Sequence, residues 1–422
     1  MRVSSSEPIR HDYTFQHWLD EASNIIYHPG STIQLTKDIS LVAQWKETEI
    51  FSVTYHYKNA VVETQTYQNV DYFLPYSDFP LMYSYRYWHT DQRGGSEGEQ
   101  IQRGEPIIWE GDNKGSMDLY ETGWVKGENH RWGSGIADDL YINQISIPGT
   151  HDSAADEASW TCDSGLIQTI VVQSESIPQQ LNAGVRFFDI RTRFYNDSFP
   201  LHHGSCFLDT HFDTEMQHIK DFLIQNPSEF IIIMMKKEHK TEGNTKTYQQ
   251  VFDDYLKELD MVDMWDLTYE FKTIKELRGK IILVDRTYEI KGGISIDNWR
   301  DNIKGTQYVG WNDVDVEVQD FYSFGYTDSS VNGKKDVIMD LINYSSSVPA
   351  SLSSTLTLNF TSGYFNYWTG VPGLGDSRIN PWLNEYLSDK SGKHLGIIIS
   401  DYNSSNARQS LKDNIIKQNF VN

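Results

Sequence analysis

The sequence predicts an α/β protein: a closed parallel (β/α) barrel preceded by a smaller β-rich domain. Three observations predict it. From about residue 135 onwards, short and almost wholly apolar runs of strand length alternate with amphipathic helical segments. No Gly-rich dinucleotide fingerprint follows any of those runs, which weakens an open doubly wound sheet. The first 130 residues lack this alternation and show short strand-like runs cut by Pro-Gly and Gly-rich turns. At 422 residues the chain exceeds what one core usually holds, so residues 1–130 are expected to form an accessory module and 131–422 the barrel.

The barrel elements follow in order. Residues 145–153, Ile-Ser-Ile-Pro-Gly-Thr-His-Asp-Ser, read as a buried strand that delivers His151 and Asp152 at its carboxyl end, where parallel sheets and barrels keep their chemistry. A strand at 185–191 and a short apolar run at 200–204 come next, the latter carrying His202 and His203. Residues 213–226 place Met216, Ile219, Phe222 and Leu223 at helical spacing and stop at Asn226-Pro227. The run 229–235 is apolar on both faces, as a strand covered from both sides must be. A helix at 247–259, a strand at 280–286, an irregular section, a helix at 335–344 and strands at 355–360 and 395–402 follow, with 408–420 as a closing helix.

Composition narrows the partners. The formal charge, 36 minus 59 or −23, argues against long-range attraction to nucleic acid or to strongly anionic membranes. The 12 Trp, 25 Tyr and 19 Phe suit stacking surfaces and amphipathic rims, although most aromatics in any domain pack its core. No run of eighteen or more apolar residues is present, and residues 1–10 contain no apolar signal core, so the expectation is a cytosolic protein or one whose leader precedes this numbering. Two cysteines, Cys162 and Cys206, exclude a disulfide-rich scaffold and a four-thiolate zinc site; a single disulfide and two free thiols both remain open.

In the amino-terminal part, residues 13–45 show alternating apolar positions around a Pro29-Gly30 turn, and the runs 51–57 and 82–88 carry alternating tyrosines. Those tyrosines suit either a ligand-binding face or one face of an ordinary strand pair, and the ligand of this module is unknown from sequence. Residues 13–46 resemble the Listeria-Bacteroides repeat, which implies exposure on a bacterial surface and no reaction.

Charged and titratable residues end the barrel strands: His151 and Asp152, Asp189 and Arg191, His202 and His203, Lys236 with Lys237 and Glu238, Asp285 and Arg286, and Asp401. Each alone has a structural explanation, but such endings repeated on one rim point to a site, because unpaired charge gathered at a barrel mouth is destabilising. Two histidines with carboxylate partners supply a base and an acid, while Arg191, Lys236 and Arg286 supply fixed cations suited to phosphate. If Arg191 neutralises the non-bridging oxygens, phosphoryl transfer needs no divalent metal.

Eight motifs occur in family order over about residues 135–420: 145–153, 185–193, Leu201-His202-His203-Gly204, Asn226-Pro227-Ser228-Glu229, Met235-Lys236-Lys237-Glu238, Val318-Gln319-Asp320-Phe321-Tyr322, Asn359-Phe360-Thr361-Ser362 and Ser400-Asp401-Tyr402. Together they resemble the bacterial phosphatidylinositol-specific phospholipase C of the phospholipase C X-domain group. The resemblance implies a distorted TIM barrel that cleaves phosphatidylinositol without metal or other cofactor, by attack of the inositol 2-hydroxyl on phosphorus, giving diacylglycerol and inositol 1,2-cyclic phosphate. It implies His151 as general base oriented by Asp401, His203 as general acid assisted by Asp152, and Arg191 on the non-bridging oxygens where metal-dependent relatives keep a calcium site. Lys236, Arg286 and Asp320 would bind the inositol hydroxyls and Tyr322 the apolar ring face. Asp189 and Ser362 are placed at the substrate pocket, Asp189 as the partner of Arg191. Trp160 and Trp368 are candidates for membrane contact, glycosyl-phosphatidylinositol anchors are candidate further substrates, and the expected location is secreted or on a bacterial cell surface. The alternatives are a catalytically silent inositol-lipid-binding or adhesin-type surface protein, and a metal-dependent diesterase, for which the sequence offers no acidic triad.

Overall fold

In the computed structural model, residues 1–48, 50–57, 60–68, 72–73, 84–90, 98–102, 107–108, 115–124, 128–159, 162, 170–310, 314–347, 353–364, 374–402 and 408–420 are described. The chain divides into two compact units, Met1–Asp78 with Ile101–Glu121, and Phe79–Gln100 with Thr122–Asn422. This interleaved division differs from a single cut at residue 130. Gln100 donates to the carbonyls of Ser134 and Ile136 and accepts from the Asp138 amide, and Trp124 stacks on Phe420, which ties both into the second unit.

The first unit is β-rich. Ile25–Tyr27, Tyr13–Asp20 and Leu41–Glu47 form an antiparallel sheet in that order, with a bulge between Phe15 and His17. Asp20 shapes the first turn by accepting from the Ala22 amide at 3.1 Å and the Ser23 hydroxyl at 2.6 Å. A second group pairs Ile50–Tyr57 antiparallel with Ala60–Gln68 and in parallel with residues 115–120. Its alternation is visible in burial: Phe51, Val53 and Tyr55 are buried, while Ser52, Thr54 and His56 are half-exposed. Tyr55 is therefore core, and the side chains of the 82–88 tyrosine run lie outside the described residues.

In the second unit the expected βα alternation closes into a distorted barrel. Neighbouring strands run in the order Ile281–Asp285, Ile231–Lys237, Phe187–Thr192, Ile147–Thr150, Ile397–Ser400, Thr355–Phe360, Asp315–Gln319, Gln307–Tyr308, and all are parallel except the last, which is antiparallel. Ile294–Ser295 adds to the first strand, and an isolated antiparallel bridge between Ile296 and Gly310 joins the two ends of the run. The short run at 200–204 is not a barrel strand. Pro200–His203 pairs antiparallel with Phe187–Thr192 and forms a hairpin with Cys206–His211 on the rim.

Strand parity divides the core. Ile231, Ile233 and Met235 face the helices Phe212–Gln225 and Tyr248–Glu258, whereas Ile232 and Met234 join Phe187, Ile282, Val316, Leu358 and Ile399 inside the barrel. Gly149 is on the inner face, where a Cβ would lie 3.0 Å from the Phe187 ring and 3.3 Å from Ile399. Opposite the site, the fully buried Arg186 and Glu229 pair at 2.8 Å; Glu229 also accepts from the amides of Gly133 and Ser134, and Arg186 donates to the carbonyls of His130 and Leu181.

Two further elements differ from expectation. The helix expected at 335–344 begins earlier, spanning Asp328–Ser345, because the Thr327 side chain caps it by accepting from the Ser330 amide and its polar first turns mask the periodicity. The strand Asp315–Gln319 lies in the section read as irregular; its buried Val316 and Val318 alternate with Asp315 and Glu317.

Candidate active site

The same parity builds the site. Two residues beyond the last inward apolar side chain, the strand Phe187–Thr192 presents Asp189 and then Arg191, and Ile231–Lys237 presents Lys236 and then Glu238. Arg191 and Lys236 are register partners, so two cations stand side by side. Thr150 is paired with Ser400, which sets His151 beside Asp401 at the next position. Arg286, Asp320 and Ser362 continue their strands on the inner parity, whereas Lys237 pairs with Glu289 and Asp285 bonds Thr287, both on the outer one.

These side chains surround a cavity of about 520 Å³ lined by His151, Arg191, His203, Lys236, Glu238, Arg286, Asp301, Asp320, Tyr322, Ser362, Tyr364 and Asp401, with Ile170, Val172, Gly204, Ser205 and Gly363 completing the wall. His151 Nδ1 lies 2.8 Å from Asp401 Oδ1 and its Nε2 lies 2.7 Å from Arg191 Nη2. The second contact requires a neutral ring, with Nδ1–H donated to Asp401 and the Nε2 lone pair accepting. Burial and Arg191 disfavour charge on this imidazole, Asp401 and Asp189 favour it, and the balance raises its pKa.

Arg191 is held from behind. Its Nε and Nη2 donate to Asp189 Oδ2 at 3.2 and 2.9 Å, and Nη1 lies 3.4 Å from Asp152 Oδ2. Burial opposes ionisation of Asp189, but the guanidinium overrides it and holds the carboxyl well below the usual carboxylate range. Asp152 is buried, sits at a positive φ of 40°, and neither carboxylate oxygen has a hydrogen-bond partner; burial raises its pKa against the pull of Arg191 and His203. It lies within ion-pair distance of both Arg191 and His203, a strained position of the kind concentrated at functional sites.

The two imidazole rings stand 6.4 Å apart and perpendicular, with side-chain exposures of 18 % for His151 and 21 % for His203. That gap brackets one tetrahedral group. The Nδ1 of His203 is 2.8 Å from the carbonyl of Ile170 and 3.5 Å from Asp152, so the backbone carbonyl is its hydrogen-bond acceptor and Asp152 acts through space.

The far wall is a charge mosaic. Lys236 pairs with Glu238 at 3.0 Å; Arg191 and burial lower its pKa, opposed by Glu238. Arg286 lies 3.6 Å above the Trp299 ring and 3.2 Å from Asp301, while Trp299 donates to Asp320 at 3.3 Å. Such a wall of fixed donors and acceptors suits a polyol.

Residues 146–287 match the family model described as phosphatidylinositol-specific phospholipase C, X domain. Over those residues the barrel is similar to that family. The matched part of the X domain carries His151, Asp152, Asp189, Arg191, His203, Lys236 and Arg286. Among similar proteins is a 1-phosphatidylinositol phosphodiesterase of Staphylococcus aureus (strain Newman), 27 % identical over 294 residues, covering 64 % of this chain and 87 % of that protein. A protein of the same description from Listeria monocytogenes serovar 1/2a is 29 % identical over 299 residues, covering 69 % of this chain and 86 % of that one. A solved structure of a mutant phosphatidylinositol-specific phospholipase C from Staphylococcus aureus aligns with a TM-score of 0.61 at 26 % identity, covering 69 % of this chain and 98 % of that one. The Listeria monocytogenes enzyme structure shares the fold, with a TM-score of 0.55 at 24 % identity, over 69 % of this chain and 98 % of that one.

Around this cavity the structure assembles His151, His203, Arg191, Asp401, Lys236, Arg286, Asp320, Tyr322 and Ser362. Asp189, expected at the substrate pocket, does not line it: it is fully buried behind Arg191, whose position it fixes. Asp152 likewise lies beneath the cavity. His202 faces away, stacked on His239, and burial with Arg193 lowers its pKa to about 4. Trp160 and Trp368 lie outside the described residues. Glu238, named from the sequence only as one of the charged strand endings, lines the cavity by strand parity, whereas no sequence pattern signals Trp299, Asp301 or the Ile170 carbonyl.

Proposed function

We propose that this protein cleaves phosphatidylinositol between phosphate and diacylglycerol, acting as a phosphatidylinositol diacylglycerol-lyase, with His151 as general base, His203 as general acid and Arg191 on the phosphate. The observation that carries the reading is the guanidinium of Arg191 held among His151, Asp152 and Asp189, with a second imidazole 6.4 Å from the first. The relatives named 1-phosphatidylinositol phosphodiesterase support the substrate class.

Substrate binding exchanges the Arg191–His151 contact for two new ones. The guanidinium donates to the non-bridging phosphate oxygens, and the freed Nε2 of His151 accepts the proton of the inositol 2-hydroxyl. Asp401 holds the ring in the Nδ1–H tautomer and balances the charge it acquires. The 2-oxygen attacks phosphorus as the lipid oxygen leaves opposite, taking a proton from His203 Nε2–H. The products are diacylglycerol and inositol 1,2-cyclic phosphate, followed by slow hydrolysis of the ring. Lys236, Arg286 and Asp320 bind the inositol hydroxyls, and Tyr322 lies against its apolar face. Arg191 is preorganised by Asp189, so neutralising the developing charge needs no reorganisation and is assigned to the protein rather than a metal ion. Consistent with that assignment, Asp152, Asp189 and Glu238 each face a cation already.

Glycosyl-phosphatidylinositol anchors are proposed as further substrates. Their support is a second cavity of about 610 Å³ that shares Ile170 and Ser205 with the first and is lined by Arg193, Asn196 and Ser198. Secretion or display on a bacterial surface is proposed from the disulfide between Cys162 and Cys206, a bond of oxidising compartments, and from the repeat-like residues 13–46, with the amino-terminal unit holding the enzyme near that surface. The test is incubation with phosphatidylinositol vesicles in excess chelator. Diacylglycerol is released at the rate seen without chelator if the reading holds, and complete loss of turnover overturns it.

A further inference from the structure

His203 ends the strand Pro200–His203 and stands directly opposite Cys206 across the turn Gly204-Ser205. One side of this turn is fixed by the Gly204 amide, which donates to Glu238 Oε1 at 3.1 Å. The other side is fixed by the segment that follows the first barrel strand. Ser159 N–H donates to the Phe207 carbonyl at 2.9 Å, Cys162 is disulfide-bonded to Cys206, and the Ile170 carbonyl accepts Nδ1–H of His203 at 2.8 Å. The end of that segment is pinned in turn, because the Ala155 carbonyl accepts from the amides of Val172 and Gln173.

With Nδ1–H bonded to Ile170, Nε2 is the nitrogen left for the substrate, and the ring in its imidazolium form presents Nε2–H there; among the described residues no side chain does that orienting, since Asp152, at 3.5 Å, is beyond good hydrogen-bond reach. The aim of the ring therefore depends on how firmly the Ile170 segment and the His203 hairpin are held together. The disulfide is a covalent tie on that hairpin, made at Cys206, directly opposite His203.

We propose that the Cys162–Cys206 disulfide is a positioning brace for the general acid, holding the hairpin strand directly opposite His203 so that the ring keeps its bond to the Ile170 carbonyl and aims Nε2–H at the leaving oxygen. The inference rests on the reading of His203 as that acid. A donor displaced by a fraction of an ångström protonates its target poorly, so loosening the brace slows the step that needs a proton and spares the step that does not. The disulfide is reachable, since both cysteines line the second cavity of about 610 Å³. Reduction by a dithiol transfers two electrons and two protons, leaving two thiols here and a disulfide on the reductant.

The experiment compares two leaving groups: diacylglycerol, an alkoxide that requires protonation, and 4-nitrophenol esterified to inositol 1-phosphate, which leaves as a phenolate without it. Folded protein is assayed before and after dithiothreitol, beside the variant Cys162→Ser/Cys206→Ser. The brace predicts kcat on phosphatidylinositol at least about tenfold lower, with KM and the nitrophenyl rate within about twofold, and a double variant that no longer responds to dithiothreitol. Should the double variant fail to fold, reduced wild-type protein carries the test, its nitrophenyl rate reporting an intact site. Unchanged lipid turnover, or a parallel fall on both substrates, overturns the proposal. His203→Ala separates the two levels: if it too slows both substrates equally, the assignment of His203 as acid fails rather than the brace.

Discussion

Arg191→Lys is the substitution that tests the site most sharply, because it keeps the charge and removes the fork. The native guanidinium spends Nε and Nη2 on Asp189, lies 3.4 Å from Asp152 through Nη1 and reaches His151 Nε2 through Nη2. A lysine ammonium is a point donor, and from the same backbone position it can satisfy Asp189 or reach the phosphate but not bridge both. Loss of one preorganised donor to a developing oxyanion typically lowers kcat by about 10²–10³-fold, and here the orientation by Asp189 is lost as well, so a fall of about 10³-fold is expected. KM should stay within about threefold, because Lys236, Arg286 and Asp320 still bind the inositol, and a transition-state interaction falls mainly on kcat. The assay is diacylglycerol release from phosphatidylinositol vesicles in chelator, with melting curves to show an intact fold. A variant within about tenfold of wild type, or one changed only in KM, refutes the role given to the guanidinium.

Asp401→Asn should lower kcat by about 10²–10⁴-fold and move the acid limb of the kcat/KM profile to lower pH, since Asp401 raises the pKa of His151 while burial and Arg191 lower it; an unmoved limb contradicts the pairing. Glu229→Gln should destabilise the barrel by about 3–5 kcal/mol in urea unfolding, because it leaves Arg186 charged and fully buried; a change under about 1 kcal/mol would show the pair to be dispensable. Lys334, fully buried and donating to the Gln319 side chain and the Phe360 carbonyl, has its pKa lowered by burial to about 7. The folded state therefore releases a proton that the unfolded state keeps up to its ordinary lysine pKa, so stability relative to Lys334→Met should rise with pH from about 7 to 10, by at most about 1.4 kcal/mol per unit; a flat difference refutes the assignment.

The site was readable from sequence wherever it follows from strand parity and chain order. His151, Arg191, Lys236, Arg286, Asp320 and Asp401 continue inward positions of apolar strands, and a rule of two selects them over Lys237 and Asp285, which the eye groups with them. What parity does not reach stayed hidden. The Ile170 carbonyl is a backbone group that nothing in the residue type marks, and Trp299 and Asp301 arrive from an irregular loop. The run at 200–204 looked like a barrel strand because a rim hairpin carries the same short apolar pattern, and its antiparallel pairing is a tertiary fact. Asp315–Gln319 is obscured in the sequence because two of its positions are acidic, which is ordinary for a strand with one less buried face.

The most direct measurement follows the phosphorus. Phosphatidylinositol vesicles treated with the protein in chelator and observed by ³¹P NMR should show inositol 1,2-cyclic phosphate as the first water-soluble product, with acyclic inositol 1-phosphate appearing only later and at its expense. Acyclic phosphate from the first turnover, with no cyclic species preceding it, would contradict attack by the inositol 2-hydroxyl and with it the roles assigned to both histidines.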